Sequence, residues 1–193
     1  MSGEKTHIGV LALQGAFELH KRHIEALGAR YVPVISHQNF EKLDGLILPG
    51  GESGAMLKLI NIVNMHQALN DFLHTKPIWG VCAGAILLAK SVQNPTQESF
   101  GILDFEITRN AYGRQLESFQ EKIDDYEVSY IRAPKISKVG DNIRIIKERE
   151  GSATWLESSK IMITTFHPET NLSAPSPWHR RFVECCGGMG NFL

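Results

Sequence analysis

Residues 78–89 read Ile78-Trp79-Gly80-Val81-Cys82-Ala83-Gly84-Ala85-Ile86-Leu87-Leu88-Ala89. A short, wholly apolar strand over 78–81 runs into a Gly-x-Cys-x-Gly turn, and an apolar helix is predicted to begin over 85–89. This is the strand–elbow–helix context of the Gly-x-Ser-x-Gly nucleophile, with Cys in place of Ser. A turn this tight holds the nucleophile in a strained backbone conformation, and glycines flank it because nearby Cβ atoms would clash. The helix that follows directs its free N–H groups and positive dipole end toward the sulfur, which favours the thiolate. The Ala83 N–H is then placed to serve an oxyanion. Taken alone, the stretch also suits a buried structural cysteine, because free Cys is commonly buried.

Outward from this elbow the same alternation repeats. Residues 8–14 form a buried-strand candidate ending at Gly15, and Phe17, His20, Ile24 and Leu27 then recur at helical spacing, with Gly28 as a stop. Residues 31–35 read as a strand that Pro33 places near an edge or a bulge. Residues 46–48 form a short apolar strand closed by Pro49-Gly50-Gly51. A helix with Met56, Leu59, Ile60 and Val63 on one face follows, then another over about 67–74. Strands alternating with helices indicate βαβ units and a parallel sheet. From about residue 105 the texture changes. Segments 105–109, 127–131, 142–147, 152–156 and 161–166 read as strands without long helices between them, and a short helix near 178–186 closes the chain. The expected fold is a three-layer α/β domain over residues 1–193, its central sheet mostly parallel, with an antiparallel excursion in the second half.

The chain has 193 residues, 42% hydrophobic and 21% charged, close to the globular average, which excludes general disorder. Lys plus Arg is 20 and Asp plus Glu is 21, a formal net charge of -1. That balance carries no electrostatic footprint for nucleic acid or an anionic membrane. The apolar stretch near the start is too short for a signal segment or a membrane span. The cysteine count is three, and Cys185 and Cys186 are adjacent, so no disulfide framework is expected and a reducing cytoplasm fits best.

A nucleophile needs a base. The apolar strand over 161–166 ends in His167-Pro168-Glu169. Pro168 biases His167 toward an extended conformation, in which residues i and i+2 point the same way. Glu169 is therefore expected beside His167, holding one ring nitrogen and leaving the other free to take the thiol proton. Cys82, His167 and Glu169 all end predicted strands, where ligand sites of open α/β sheets gather. A third loop, Gly50-Gly51-Glu52-Ser53-Gly54, also ends a strand. Its backbone N–H groups suit a carboxylate or a second oxyanion donor, or it is a plain turn before a helix. It lacks the Gly-Lys-Ser/Thr of a P-loop.

Together these loops resemble the class I (triad) glutamine amidotransferases, and more closely the family of glutaminase subunits of pyridoxal 5′-phosphate synthases. The likeness runs through Leu11-Ala12-Leu13-Gln14-Gly15-Ala16, residues 46–53, Cys82-Ala83-Gly84, Arg109-Asn110-Ala111-Tyr112-Gly113-Arg114-Gln115, Tyr130-Ile131-Arg132-Ala133-Pro134 and Phe166-His167-Pro168-Glu169. It implies a flavodoxin-like class I amidotransferase fold and hydrolysis of glutamine to glutamate and ammonia through a thioester. Cys82 is the implied nucleophile, His167 the base and then acid, and Glu169 the orienter. Gly51, Glu52, Ser53, Arg109, Ile131 and Arg132 are implied to hold glutamine, and Ala83 and Gly51 to form the oxyanion hole. The implied partner is a (β/α)₈-barrel synthase subunit in a large hetero-oligomer, with no metal and no cofactor on this chain. The sequence departs from the family at Gly54-Ala55, Val81, 93–100 and 170–177, at no residue matched to the chemistry.

Two other readings stay open on the sequence. One is another cysteine-dependent hydrolase on a related fold, peptidase or deglycase-like. The other is a non-catalytic binding subunit. Gln14 is a candidate for coupling to a partner or a locally packed turn residue. His20 and His23, one helical turn apart, are expected on a solvated or half-buried helix face. Residues 147–150 are expected to form a solvated turn.

Overall fold

The computed structural model describes residues 5–110, 118–188 and 191–192. In chain order, the first half holds β1 (His7–Leu11), α1 (Leu19–Glu25), β2 (Arg30–Val34), β3 (Gly45–Leu48), α2 (Ser53–Ile62), α3 (His66–Thr75), β4 (Ile78–Val81), α4 (Ala83–Leu88) and β5 (Ala89–Gln93). The second half holds β6 (Leu103–Thr108), β7 (Phe119–Ile123), β8 (Tyr126–Tyr130), β9 (Lys135–Val139), β10 (Arg144–Arg149), β11 (Ser152–Ser158), β12 (Ile161–Thr164) and α5 (Pro177–Cys186).

Four of the most apolar runs, β1, β3, β4 and β12, lie at the parallel heart of a ten-stranded sheet ordered β2-β1-β3-β4-β12-β11-β9-β6-β5, with β10 hairpinned onto β11. They are apolar throughout because helices cover both faces. Successive side chains point to opposite sides. Ile8, Val10, Ile47, Trp79, Val81 and Met162 meet Ile24 of α1 and Phe182 of α5 on one face. Leu11, Leu46, Leu48, Ile78 and Ile163 meet Met56, Ile60, Leu69, Phe72 and α4 on the other. The three expected layers are therefore present. β2, which contains Pro33, takes the outer edge beside β1, where a missing N–H costs no ladder bond.

The antiparallel excursion is β12-β11-β9-β6, and β5 closes the far edge parallel to β6. Helix α4 ends sooner than the sequence predicts. Ala89 turns extended (φ −63°, ψ 146°) and opens β5, whose Val92 packs into the core. A five-residue apolar run does not distinguish helix from strand by period. The sequence also missed β7 and β9, which carry exposed charged residues and bury only Ile123 and Ile136 respectively. Residues 147–149 belong to β10, and the turn itself is Glu150 and Gly151, both at positive φ. His20 and His23 are not on a solvated face. Packing of α1 against α5 buries them completely beside His179.

Glu157 of β11 is fully buried and ties the end of the described chain to the sheet. Its carboxylate accepts from Arg144 at 2.8 Å, from Trp155 at 3.2 Å and from Arg181, and both arginines also donate to the Phe192 carbonyl. Glu157→Ala leaves two guanidinium groups without their counter-ion. The expected loss in unfolding free energy, read from denaturant titration, is about 3 kcal/mol, the low end for a broken buried pair because both arginines retain solvent contact.

Candidate active site

Leu48, Gly80 and Ile163 stand in one row across β3, β4 and β12. Just past that row, at the carboxyl ends of the three strands, come Gly50 and Gly51, Cys82, and His167. The Cys82 backbone has φ 49° and ψ −98°, a region that costs an L-residue energy unless its surroundings hold it. They do so here. The Cys82 N–H donates to the Thr164 carbonyl at 2.8 Å, and its own carbonyl accepts from Ile86 at 3.2 Å, starting α4. Gly84 lets α4 sit directly on β3, because a Cβ there would collide with the Leu48 carbonyl group.

His167 and Glu169 are both buried, and His167 Nδ1 lies 2.7 Å from Glu169 Oε1. They meet differently from the sequence expectation. Pro168–Thr170 forms a single 3₁₀ turn, and this turn, rather than an extended strand, brings the carboxylate under the ring. The His167 backbone is anchored by the β7–β8 ribbon. Its N–H donates to Ser129 O at 2.8 Å, and Thr170 Oγ1 donates to its carbonyl at 2.9 Å. Gly50 flanks the imidazole so closely that an added Cβ would fall 2.8 Å from Nδ1.

Burial by itself would lower the His167 pKa. The Glu169 carboxylate and, next, Cys82 outweigh burial and hold it well above its ordinary value. Burial would raise the Glu169 pKa, but the contact with His167 overcomes it and the carboxyl is held below the usual range. The two directions agree, each group favouring the charged form of the other. His167 Nε2 is buried and closes no hydrogen bond of normal geometry, and Cys82 acts on the ring beside Glu169. The arrangement can therefore supply a nucleophile, a base and an orienter in one line.

Gly51, Glu52, Ser53, Arg109, Ile131 and Arg132 line a single cleft with Cys82, joined by Ile86, Asn110 and Pro134. The cleft presents one carboxylate and two guanidinium groups, the complement of a zwitterion. Glu52 caps α2 by accepting from Ala55 N at 2.7 Å and pairs with Arg109 at 2.8 Å. Ser53 Oγ donates to Gln97 at 2.9 Å, a partner that sequence reasoning did not single out. Asn110 and Arg132 join Cys82 as non-glycine residues at positive φ on the same cleft, 49° and 45°. Gln14 Oε1 accepts from Glu52 N at 2.9 Å, which ties its turn to the Gly51–Glu52 loop. Ala83 opens α4 immediately after Cys82. Residues 111–115 of the Arg-Asn-x-Tyr-Gly-Arg-Gln stretch lie outside the described residues.

Cys185 and Cys186 are at the other end of the sheet, where Cys186 faces Gly45 at the start of β3. Burial pushes both thiols up, Cys186 strongly, which makes their thiolates harder to form. Among the described residues no group of three or more His, Cys, Asp or Glu is arranged to hold a metal ion, and no helix is long and apolar enough to cross a membrane.

A parallel sheet in this order, with a cysteine elbow beside a His-Pro-Glu turn, is the architecture of the class I glutamine amidotransferases. The model of the SNO glutamine amidotransferase family matches residues 10–187, and the chain belongs to that family. It is 42% identical over 183 residues to a protein of Koribacter versatilis named pyridoxal 5′-phosphate synthase subunit PdxT, covering 92% of this chain and 94% of that protein. A protein of Fervidobacterium nodosum with the same name is 36% identical over 184 residues, covering 92% and 95%. A crystal structure described as a glutamine amidotransferase superposes with a TM-score of 0.83 at 33% identity, covering 93% of this chain and 98% of that one. A glutamine amidotransferase from Thermotoga maritima, 14% identical with a TM-score of 0.58 over 86% of this chain and 77% of that one, shares the fold.

The electrostatics of the pair are testable. Glu169→Gln removes the charge that raises the His167 pKa but leaves the burial that lowers it. The imidazole should then titrate at lower pH than in the parent protein, as read by NMR of the ring protons.

Proposed function

We propose that this chain is a single glutaminase domain that hydrolyses L-glutamine to L-glutamate and ammonia through Cys82, His167 and Glu169. One observation carries the reading. Six residues that the family resemblance associates with glutamine line one cleft with the cysteine, and the buried His–Glu pair follows the adjacent strand.

Glutamine lies with its carboxamide over Cys82 and its charged end toward Glu52, Arg109 and Arg132. The thiolate attacks the carboxamide carbon, and the carbonyl electron pair moves onto oxygen. The Ala83 and Gly51 N–H groups receive that oxyanion, where loss of one donor costs about 10²–10³ in rate. His167 gives its proton to the departing nitrogen, and ammonia leaves a thioester. Water, deprotonated by His167, attacks the thioester carbon. Collapse of the second oxyanion releases glutamate and restores the thiolate. Glu169 keeps the imidazole oriented throughout and stabilises its charged form.

The relatives' names place them as subunits of pyridoxal 5′-phosphate synthase. The reading extends that role to this chain. Its ammonia passes to a separate synthase subunit, a (β/α)₈ barrel, in a large mixed assembly in the cytoplasm. The reading requires no metal or cofactor on this chain.

Cys82→Ala should reduce glutamate release from glutamine at least about 10³-fold. Retention of the parent rate would overturn the assignment. A glutamine analogue with an electrophilic side chain should label Cys82 alone when the digest is read by mass spectrometry. Labelling of Cys185 or Cys186 would count against it.

A further inference from the structure

Behind Glu169, on the side away from the cleft, Ser176, His179 and His20 form a line that the mechanism above does not use. All three are fully buried. Ser176 Oγ caps α5 by accepting from His179 N at 3.2 Å, and lies 2.6 Å from His179 Nδ1. His179 Nε2 lies 2.9 Å from His20 Nδ1. His20 Nε2 faces Glu169 Oε1 at 4.0 Å.

The direction of the protons along this line follows from counting. A neutral imidazole has one donor nitrogen and one acceptor nitrogen. The Ser176 hydroxyl hydrogen has His179 Nδ1 as its acceptor, so His179 carries its proton on Nε2. That proton points at His20 Nδ1, so His20 carries its own on Nε2, toward the carboxylate. The reverse order would aim a lone pair at Glu169 and leave the serine hydrogen without an acceptor among the described residues. Neither His20 Nε2 nor Glu169 Oε2, both buried, has another hydrogen-bond partner. Such atoms are uncommon and call for an explanation.

The line stays uncharged near neutral pH. Burial draws His20 down to about 4 against the pull of Glu169, with His23 and His167 adding to the fall. Burial, then His20, His23 and Arg22, hold His179 well below its ordinary value. The neighbouring His23 is lowered by burial too, and its tautomer is set independently. Ser176 N–H donates to its Nδ1 at 3.1 Å, so Nε2–H points to the Glu169 carbonyl at 3.4 Å. Arg22 donates to the same carbonyl at 3.2 Å. Trp79 packs edge-on against His20 and His179.

We propose that Ser176, His179 and His20 form a proton-ordered chain that presents the His20 Nε2–H to the Glu169 carboxylate, making His20 a positioning residue for the triad. At 4.0 Å the contact acts as a dipole on a charge rather than as a full hydrogen bond. It steadies the ionised carboxylate without placing a second positive charge beside His167. The inference rests on the glutaminase reading for its kinetic consequence only, because the tautomer belongs to the resting protein.

The first test is ¹⁵N NMR of the full chain labelled at histidine. His20 is expected as the Nε2–H tautomer and neutral near pH 7. An Nδ1–H tautomer, or a charged ring, overturns the proposal whatever the glutaminase assay gives. The second test is kinetic. His20→Leu should lower kcat for glutamate release about tenfold, the scale for losing a group that orients a catalytic ligand, with KM unchanged. It should also raise the His167 titration, because the bare carboxylate then acts more strongly on the imidazole. His20→Gln, which keeps a side-chain N–H, should recover most of the rate. A folded His20→Leu protein with parental kcat and His167 titration would overturn the proposal. Where that variant does not fold, the tautomer on the parent protein decides. Loss of turnover in Cys82→Ala reports on the glutaminase reading separately.

Discussion

β3, β4 and β12 lie side by side and parallel, with Leu48, Gly80 and Ile163 in one row across the sheet. Because parallel strands share a direction, whatever follows each of them emerges at the same edge. The Gly50–Gly51 turn, the cysteine elbow and the histidine turn thus arrive together, although Cys82 and His167 are far apart in the chain. A one-residue slip in this pairing would turn each strand's apolar set to the wrong face. The core that fixes the register therefore also fixes the site, and packing and chemistry are one constraint here.

The approach of these loops is close enough that side chains must be absent at particular points. Position 84 lets the helix after Cys82 rest on the carbonyl of Leu48, and position 50 leaves room for the imidazole. The other half of the site is electrostatic. A fully buried carboxylate is costly unless it meets a charge or a donor. Glu169 meets the His167 ring at its carboxylate, and Arg22 with His23 at its backbone carbonyl. The neutral histidines behind it supply dipoles without competing for the proton.

Much of this was legible in the sequence, for reasons that can be named. Short apolar runs mark buried parallel strands, so β1, β3, β4 and β12 were readable. So was the edge position of β2, from Pro33. The boundary between α4 and β5 was not, because Ala-Ile-Leu-Leu-Ala suits either period. Nor were β7 and β9, whose exposed positions carry charges that resemble loop. The pairing of His167 with Glu169 was anticipated correctly but on the wrong local geometry, since a proline-led 3₁₀ turn does what an extended segment was expected to do.

The sequence by itself determined the strand–turn–helix units, the cysteine elbow, and the candidate nucleophile, base and orienter. These depend on local spacing, on what glycine permits and on what proline forbids. Only the tertiary structure decided that the six candidate binding residues border one cleft, that His20 and His23 are interior, and that His179, from the last helix, joins them. Those contacts join segments up to 159 residues apart, as between His20 and His179, and no local period encodes them. They arise when α1 and α5 bury the same face of the sheet, because apolar surface on that face must be covered and the histidines lie on the helices that cover it.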